Sequence, residues 1–218
     1  MRDTIVETIL IADDHGIVRL GLSSMIKKLR PQAVVNEVDD YQKVLSAIKK
    51  DSYDLIILDI NMPNGSFQET LEVIKIRCPK TKVMVFSSQD EHLYAIRYLK
   101  MGADGFLHKL SPEENIKNAL EKMLNKGSYV SEEVKDAMIF NTLNKNVPGE
   151  NTLETLSDRE IEIAELLTRG MPLKDISSEL NLHVSTVSTY KVRIFKKLDI
   201  QSVPELIDVF KFYDSVNK

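Results

Sequence analysis

Between residues 5 and 126, short apolar runs alternate with amphipathic segments, and this alternation restricts the possible folds more than any other feature of the chain. The runs consist mainly of valine, isoleucine and leucine without apolar–polar alternation, which is typical of strands covered on both faces of a parallel sheet. The segments between them have apolar residues at helical spacing. The sequence therefore predicts five βα units in series, folded as an α/β, doubly wound (βα)5 domain.

The predicted elements follow one another without long gaps. Strands are expected at Ile5 to Ala12, Val34-Val35, Leu55 to Leu58, Val83 to Phe86 and Phe106-Leu107. Helices are expected at Val18 to Leu29, Tyr41 to Lys50, Phe67 to Arg77, His92 to Met101 and Pro112 to Lys126. The last helix is preceded by Ser111-Pro112-Glu113-Glu114, which has the spacing of a capping box. These elements assign residues 1–126 to a first domain.

The regular pattern weakens after residue 126. Residues 141–151 are polar and rich in turn-forming residues, so residues 127–151 are predicted to form a linker. Residues 152–218 show helical periodicity alone, interrupted at residues 170–172, 181–183 and 199–202. This pattern predicts a second, all-α domain of four short helices.

Composition limits the possible environments and partners. The formal net charge is −4, so any contact with nucleic acid must come from a local basic patch. The single cysteine, Cys78, excludes an internal disulfide and is expected to be a buried thiol in a reducing compartment. No run has the length of a membrane span, and the first residues lack the pattern of a signal peptide. A cytoplasmic protein without a membrane partner is expected.

Polar residues stand at the ends of four predicted strands, where ligands bind in an open parallel sheet. They are Asp13 and Asp14 after the first strand, Asp59 after the third, Ser87 after the fourth and Lys109 after the fifth. Three converging carboxylates repel one another, and a bound cation would remove this repulsion. Their oxygen ligands suit Mg²⁺. Helix capping, a turn hydrogen bond or a surface position would explain each residue singly, but not all five at strand ends.

An aspartate beside a cation, a lysine and a hydroxyl has the equipment to accept a phosphoryl group. The segments that carry these residues are Asp13-Asp14-His15, Leu58 to Pro63, Phe86-Ser87-Ser88 and Gly102 to Lys109. Together they resemble the receiver domain of two-component response regulators. The resemblance implies that Asp59 is the phosphoacceptor and that Ser87 and Lys109 contact the phosphoryl group. By the same resemblance, Mg²⁺ is held by Asp13, Asp14, Asp59 and the main-chain carbonyl of Asn61.

The resemblance also places Phe106 at the switch aromatic of the family, whose rotation is coupled to movement of Ser87; a buried core ring is the alternative. Two departures from the family pattern stand nearby. Asn64-Gly65-Ser66-Phe67 replaces the small residues usual after Met-Pro, so the bulkier Phe67 is expected to lie differently and to alter the loop's dynamics. Leu110 replaces a common proline. Because a cis bond before a non-proline residue costs about 2.5–4 kcal/mol, none is expected there.

Positive charge is concentrated on one segment of the second domain. Between Glu179 and Asp199 there are four basic residues and no acidic one. Val187, Tyr190, Ile194 and Leu198 recur at helical spacing and are predicted to form the buried stripe. A short predicted helix, Pro172 to Leu180, precedes this segment, and Asn181 stands where a tight turn needs a residue that tolerates positive φ. The sequence therefore predicts a helix-turn-helix.

The outer face of the second helix is small, polar and basic, as expected of a helix that enters the major groove of DNA. Hydroxyl groups there can read base edges, and Val192 can contact a thymine methyl group. Lysine and arginine side chains can bind phosphates. The residues expected to contact DNA are Lys174, Ser185, Thr186, Ser188, Thr189, Lys191, Val192, Arg193 and Lys196. The alternative is an ordinary solvated helix in a small bundle.

Residues 152–213 are similar to the LuxR-type output domain. The motifs that carry this similarity are Leu156 to Glu160, Leu166-Leu167, Gly170, Lys174-Asp175-Ile176, Leu180, Ser185-Thr186-Val187 and Lys196-Lys197-Leu198. Joined to a receiver, this is the arrangement of the NarL/FixJ class of response regulators. His183, Ser188 and Tyr190 depart from the usual residues, which affects the DNA sequence recognised rather than the fold.

The combined resemblance implies a phosphorylation-controlled transcription factor and not an enzyme. Its expected partners are a sensor histidine kinase and double-stranded DNA with two half-sites, bound by a homodimer that forms on phosphorylation and pairs through the last helix, about Val203 to Phe212. A phosphatase of the haloacid dehalogenase type also uses a strand-end aspartate and Mg²⁺. That class needs a second aspartate where Asn61 stands. A regulator that acts through protein or RNA contacts is a third possibility.

Overall fold

The structure, a computed structural model, describes residues 7–89, 91–143 and 153–216. The chain divides into two compact units, residues 1–135 and 136–218. The domain boundaries predicted from the sequence, with a linker at residues 127–151, stay a prediction. Among the described residues, no helix is long and apolar enough to cross a membrane.

The first unit contains a five-stranded, entirely parallel sheet with the order β2-β1-β3-β4-β5. Its strands are β1 (Thr8–Ala12), β2 (Val34–Val38), β3 (Leu55–Leu58), β4 (Lys82–Ser87) and β5 (Gly105–His108). This arrangement confirms the predicted α/β fold. The predicted β2 was too short, because this strand lies at the edge of the sheet, none of its residues is fully buried, and Asn36 and Glu37 interrupt its apolar run.

The helices of this unit are α1 (Gly16–Leu29), α2 (Tyr41–Lys50), α3 (Phe67–Arg77), α4 (Glu91–Lys100) and α5 (Glu113–Lys126). The bounds of α2 and α3 agree with the sequence prediction, and the others differ by at most two residues at either end. The predicted capping box at Ser111 was wrong: Pro112 is the N-cap of α5 and no side chain caps it. Cys78 is half-buried rather than buried, at the C-cap of α3.

The outer edge of β5 is covered by a short continuation of the chain. Gly105 forms a parallel bridge with Tyr129; the N–H of Phe106 donates to the carbonyl of Tyr129 at 3.3 Å, and the N–H of Tyr129 donates to that of Asp104 at 3.2 Å. A Cβ atom at position 105 would lie 2.8 Å from the carbonyl oxygen of Tyr129. Only glycine therefore permits this close approach.

An additional helix, α6 (Glu132–Leu143), follows this edge segment and was not predicted. The second unit then contains a 3-10 turn (Leu153–Thr155) and the helices α7 (Asp158–Thr168), α8 (Leu173–Glu179), α9 (Val184–Leu198) and α10 (Val203–Val216). These four helices confirm the all-α domain expected from the sequence.

The packing of α9 explains how the second unit is held together. Val187, Ile194 and Leu198 are buried, and α9 packs against both α7 and α8. Tyr190, predicted to lie in the same buried stripe, is only half-buried. The turn before α9 is as predicted, because Asn181 has a φ of 52°. Pro172 is the N-cap of α8.

Candidate functional site

Two carboxylates and one ammonium group meet at the carboxyl end of the sheet. The Nζ of Lys109 lies 2.7 Å from Oδ2 of Asp13 and 2.9 Å from Oδ2 of Asp59. The side chains of both aspartates are almost completely buried, and that of Lys109 is 13% exposed. The structure thus brings together residues that are separated by up to 96 positions (109 − 13) in the sequence.

Strand register places these three residues at the same edge of the sheet. Ala12 of β1 is paired with Leu58 of β3, so the next residue of each strand is an aspartate, and the N–H of Asp59 donates to the carbonyl of Ala12 at 2.8 Å. Ser87 of β4 is paired with His108 of β5, and the N–H of Lys109 donates to the carbonyl of Ser87 at 2.7 Å. Asp13 and Asp59 are therefore level with each other, whereas Lys109 lies two residues farther along its strand, and its side chain contacts both.

Burial and charge shift the pKa values of this cluster. Burial raises the pKa of Asp59, and the negative charge of Asp13 adds to this effect; the hydrogen bond from Lys109 and the backbone N–H of Asn61 oppose it without cancelling it. Burial acts to lower the pKa of Lys109, but its hydrogen bonds to Asp13 and Asp59 outweigh burial and raise it. The lysine is therefore held as a cation, while Asp59 pays an electrostatic penalty for its negative charge.

Asp14 lies at the solvent-facing side of the cluster, with its side chain 37% exposed. The Nδ1 of His15 is 2.6 Å from Oδ1 of Asp14, and the N–H of His15 donates to Oδ1 of Asp13 at 2.8 Å. Ligand atoms of Asp13, Asp14, His15 and Asp59 all lie within 4.8 Å of one another. This cluster of acidic oxygens, open to water on one side, is compatible with a divalent metal ion. His15 was quoted in the sequence motif but was not predicted to be part of the site.

The side chain of Tyr41 holds the backbone of the loop that follows Asp59. Its hydroxyl donates to the carbonyl of Ile60 at 2.6 Å and lies 3.3 Å from the carbonyl oxygen of Asp59. Gly65 passes so close that a Cβ there would be 2.8 Å from Cβ of Tyr41. Asn61 is exposed. Tyr41 was not predicted as a site residue, since a buried tyrosine at the start of a helix gives no sequence signal beyond that of a core residue.

Phe67 adopts a position that its size demands. It is the first residue of α3 and is buried. The side chain that replaces a small residue of the family therefore packs in the core and does not cover the acidic cluster. Ser66, just before it, caps α3 by accepting a hydrogen bond from the N–H of Glu69 at 3.3 Å. No cis peptide bond occurs among the described residues, as expected at Lys109-Leu110.

Ser87 and Phe106 are both completely buried. The Oγ of Ser87 accepts a hydrogen bond from the N–H of Gln89 at 3.0 Å, so the hydroxyl contacts its own turn. The ring of Phe106 lies nearly parallel to that of Tyr98, with centroids 6.2 Å apart. Phe106 therefore has the burial expected of a core ring, and its role as a switch residue stays a prediction.

The exposed face of α9 carries most of the residues predicted to contact DNA. Ser185, Ser188, Thr189, Val192, Arg193 and Lys196 are exposed, as is Lys174 on α8, whereas Thr186 and Lys191 are half-buried. The Nζ of Lys191 lies over the ring of Phe195 at 5.3 Å, and the guanidinium of Arg193 lies over the ring of Tyr190 at 5.9 Å. A hollow of about 230 Å³ is lined by Ser185, Thr186, Thr189, Tyr190 and Arg193.

The N-terminus of α9 has no side-chain cap. His183 is the N-cap residue, and its side chain accepts no capping hydrogen bond. In contrast, α7 begins with a complete capping box between Ser157 and Glu160. The amides at the start of α9 can therefore bind an anion such as a phosphate group of DNA.

Comparison with family models identifies both units. A model of the response regulator receiver domain matches residues 9–121, and a model of bacterial regulatory proteins of the luxR family matches residues 154–210. Fimbriae Z protein of Escherichia coli (strain K12) is 31% identical over 209 residues, which are 96% of this chain and 98% of that protein. Oxygen regulatory protein NreC of Staphylococcus epidermidis is 33% identical over 210 residues, which are 92% of this chain and 94% of that protein.

Solved structures give the same two-part architecture. RcsB from Salmonella enterica serovar Typhimurium, bound to promoter rprA in the presence of phosphomimetic BeF3⁻, aligns with a TM-score of 0.58 at 22% identity over 94% of this chain and 98% of that one. A structure of two RcsB dimers bound to two parallel DNAs aligns with a TM-score of 0.57 at 22% identity over the same shares. At this identity the likeness concerns the fold.

Proposed function

Because this chain belongs to the response regulators of the NarL/FixJ class, with a receiver domain and a LuxR-type DNA-binding domain, we propose that Asp59 accepts the phosphoryl group that controls it. The chain is a phosphorylation-dependent transcription regulator. The choice of Asp59 rests on the match to the receiver family, and the observation that supports it is its burial 2.9 Å from Nζ of Lys109, a lysine that it shares with Asp13. We further propose that the donor is a sensor histidine kinase and that the protein acts in the cytoplasm.

The transfer moves one phosphoryl group between two nucleophiles. A carboxylate oxygen of Asp59 attacks phosphorus, the P–O bond forms, and the P–N bond to the kinase histidine breaks with its electron pair remaining on that nitrogen. Lys109 places its ammonium beside the oxygen that becomes part of the acyl phosphate. Ser87, on the neighbouring strand end, can donate its hydroxyl hydrogen to a phosphoryl oxygen.

We propose that the ion held by the acidic residues is Mg²⁺, which carboxylate and carbonyl oxygens suit. Asp13, Asp14 and Asp59 offer carboxylate oxygens, and the main-chain carbonyl of Asn61 is the proposed fourth ligand. Bound there, Mg²⁺ supplies positive charge that offsets the repulsion between the carboxylates and the incoming phosphate. Asn61 also stands where a haloacid dehalogenase phosphatase needs its second aspartate, which favours a regulator over an enzyme.

The choice of Asp59 is tested by labelling. Wild-type protein incubated with acetyl phosphate and Mg²⁺ should gain one phosphoryl group, detected by intact-protein mass spectrometry, and Asp59→Asn should gain none, because the nucleophile is gone. Asp51→Asn, which replaces an exposed carboxylate of the same unit, is the matched control and should label normally. Persistent labelling of Asp59→Asn would place the acceptor elsewhere, and steady release of phosphate from a monoester would indicate a phosphatase.

For the second unit we propose that α9 enters the major groove of DNA. Its exposed hydroxyls at Ser185, Ser188 and Thr189 are suited to base edges, and the exposed Val192 to a thymine methyl group. Thr186, Lys174, Lys191, Arg193 and Lys196 complete the proposed contact set. One such unit makes few phosphate contacts, so we propose that phosphorylation favours a homodimer on two half-sites, which raises the effective concentration of the second unit.

Salt dependence tests whether the ligand is nucleic acid and which residues bind it. Replacing Lys191 and Lys196 by alanine should weaken binding to a double-stranded DNA about tenfold or more at low salt and reduce the slope of log affinity against log salt by about 2, since each lysine releases about one counterion. The double variant Lys49→Ala/Lys50→Ala removes the same charge from α2 and should bind normally. Unchanged DNA affinity in the α9 variant, or stronger binding to single-stranded RNA, would contradict the proposal.

A further inference from the structure

Tyr98 of α4 stands at the centre of a buried aromatic cluster. Its ring meets that of Phe67 edge-on at 4.8 Å between centroids, and lies nearly parallel to those of Tyr94 and Phe106 at 6.2 Å each. All four side chains are 5% exposed or less. Such arrangements stabilise aromatic pairs beyond the area they bury. The ring of Tyr98 is therefore held from three sides, and the position of its hydroxyl is fixed by packing.

The hydroxyl of Tyr98 is connected to the proposed phosphoryl-binding serine through one residue. It donates to Oε1 of Gln89 at 3.0 Å, and the N–H of Gln89 donates to Oγ of Ser87, also at 3.0 Å. Gln89 thus contacts Ser87 with its backbone and Tyr98 with its side chain. A single residue of α4 is in this way connected to Ser87 by hydrogen bonds and to Phe106 by ring stacking.

We propose that Tyr98 is a positioning residue that couples the turn at Ser87–Gln89 to the ring of Phe106, and that its hydroxyl opposes the movement of Ser87 toward a phosphoryl group on Asp59. This inference rests on the proposed function of Asp59. It adds a specific residue on α4 to the acidic cluster and the two residues, Ser87 and Phe106, that the sequence motifs indicate.

The opposition follows from the geometry of the turn. If Ser87 moves alone, its hydrogen bond with the N–H of Gln89 is broken. If Gln89 moves with it, Oε1 of Gln89 leaves the hydroxyl of Tyr98, because the ring of Tyr98 is held by Phe67 and Tyr94 and does not follow. Either movement therefore loses one hydrogen bond. Phe67, which replaces a small residue at the start of α3, contributes to this restraint by contacting the edge of the Tyr98 ring.

The test compares beryllofluoride binding, in the presence of Mg²⁺, by the full-length wild type and Tyr98→Phe. Phenylalanine keeps the ring and its three contacts and removes only the hydroxyl. Loss of one neutral hydrogen bond from only one of two conformations shifts their ratio about two- to tenfold, so the affinity should rise by about that factor. In spectra of the free protein, the backbone amide signals of Gln89 and Phe106 should move toward their positions in the beryllofluoride-bound wild type.

Tyr53→Phe is the matched control. The hydroxyl of Tyr53 accepts a hydrogen bond from Nδ2 of Asn36 at 2.9 Å, and the ring is buried in the same unit but takes no part in the aromatic cluster. This variant should lose stability much as Tyr98→Phe does and leave both the affinity and the two amide signals unchanged. Gln89→Ala should raise the affinity as Tyr98→Phe does, and the double variant should show no further gain, because both changes remove the same hydrogen bond.

Different outcomes separate the two proposals. If the wild type binds no beryllofluoride, the proposed function fails and this inference fails with it. If the wild type binds normally and Tyr98→Phe has the same or a lower affinity, only the coupling by Tyr98 is overturned. A fall in thermal stability without movement of the Gln89 and Phe106 signals also overturns it, because Tyr98 would then have a structural role alone.

Discussion

Each of the two units buries a carboxylate beside a lysine, yet the two carboxylates have pKa values shifted in opposite directions. In the receiver, burial raises the pKa of Asp59 despite its contact with Lys109. In the DNA-binding unit, burial also acts to raise the pKa of Glu160, but hydrogen bonds from Lys197 and Ser157 outweigh it, and the pKa lies below its usual value. A nearby lysine therefore does not by itself decide whether a buried carboxylate is stabilised.

The surroundings of the two carboxylates account for the difference. A single acceptor, Oδ2 of Asp59, contacts Lys109, and this lysine is shared with Asp13. By contrast, Oε2 of Glu160 accepts hydrogen bonds from the N–H of Ser157 at 2.7 Å, from Oγ of Ser157 at 2.8 Å and from Nζ of Lys197 at 2.6 Å. Oε2 of Glu160 is thus held by three donors of the protein, whereas the receiver cluster has more negative charge than its lysine balances. Excess carboxylate charge of this kind can bind a cation, and the cation in turn favours a phosphoryl group. Without the cation, the same excess lowers the free energy of unfolding.

The largest effect is expected at Glu160. Glu160→Gln replaces charged hydrogen bonds by neutral ones and should lower the free energy of unfolding of the DNA-binding unit by about 2 kcal/mol at pH 7. Because the folded-state pKa of Glu160 is lowered, its contribution is present above the unfolded value of 4.5 and is lost as pH falls through the folded value. The difference between wild type and variant should therefore shrink in acid, measured by urea unfolding with amide signals of α7 as the probe.

Glu162→Gln on the same helix is the control for this prediction. Its carboxylate pairs with Arg159 at 2.6 Å, but it is 41% exposed, and pairs of this kind contribute little. A loss of stability in Glu162→Gln equal to that in Glu160→Gln would mean that burial and the Ser157 contacts are unimportant, and the comparison would fail.

A smaller effect of opposite sign is expected at Asp59. Asp59→Asn removes a charge that burial disfavours and should raise the free energy of unfolding of the receiver by about 1 kcal/mol at pH 7 without divalent metal. Because the folded-state pKa is raised, the unfolded chain gives up its proton first as pH increases above the unfolded value of 3.8, and wild-type stability falls until the folded value is passed. The advantage of the variant should therefore vanish in acid.

Two measurements sharpen the result at Asp59. Asp51→Asn, at an exposed position of the same unit, should leave the unfolding midpoint unchanged. Added Mg²⁺ should stabilise the wild type more than Asp59→Asn, because only the wild type retains all three carboxylates and binding to the folded state adds stability by mass action. A wild type more stable than Asp59→Asn at neutral pH and without metal would show that the cluster is already balanced.

Much of the receiver fold follows from local sequence patterns, and its acidic cluster follows from one rule of sheet geometry. Continuous apolar runs predicted the positions of β1, β3, β4 and β5 in the sequence. Because the ends of parallel strands converge, the same prediction brings Asp13, Asp59 and Lys109 together, as the structure shows. The length of the edge strand β2 was underestimated because Asn36 and Glu37 interrupt its apolar run. The helix α6 was missed because its apolar residues are spread around the helix and therefore show almost no helical periodicity.

One motif, serine followed three residues later by glutamate, shows the limit of local patterns. At Ser157 it forms a complete capping box, but at Ser111 it forms none, because α5 begins one residue later with Pro112 as its N-cap. A shift of one residue moves glutamate out of the third helical position, and nothing in the four letters indicates which alignment is adopted. The burial of Glu160 and its contact with Lys197 depend on the packing of α7 against α9 and have no local signal.

The aromatic cluster around Tyr98 could not be predicted from the sequence either, because it also depends on packing between elements. Tyr94 and Tyr98 are one helical turn apart on α4, but Phe67 and Phe106 come from α3 and β5, and no sequence period connects them to α4. A single sequence indicates that each of these residues is apolar and suited to a core, but not which rings meet. The same holds for the hydroxyl of Tyr98, whose partner Gln89 lies in a turn outside any predicted element.

The segment at Tyr129 that covers the outer edge of β5 has a consequence for solubility. An uncovered edge strand offers free N–H and carbonyl groups to strands of other molecules, which leads to aggregation. Here the N–H of Phe106 and the carbonyl of Asp104 are already bonded to Tyr129, and Gly105 lets that segment lie against the strand. The sheets of neighbouring copies are therefore prevented from extending into one another along this side.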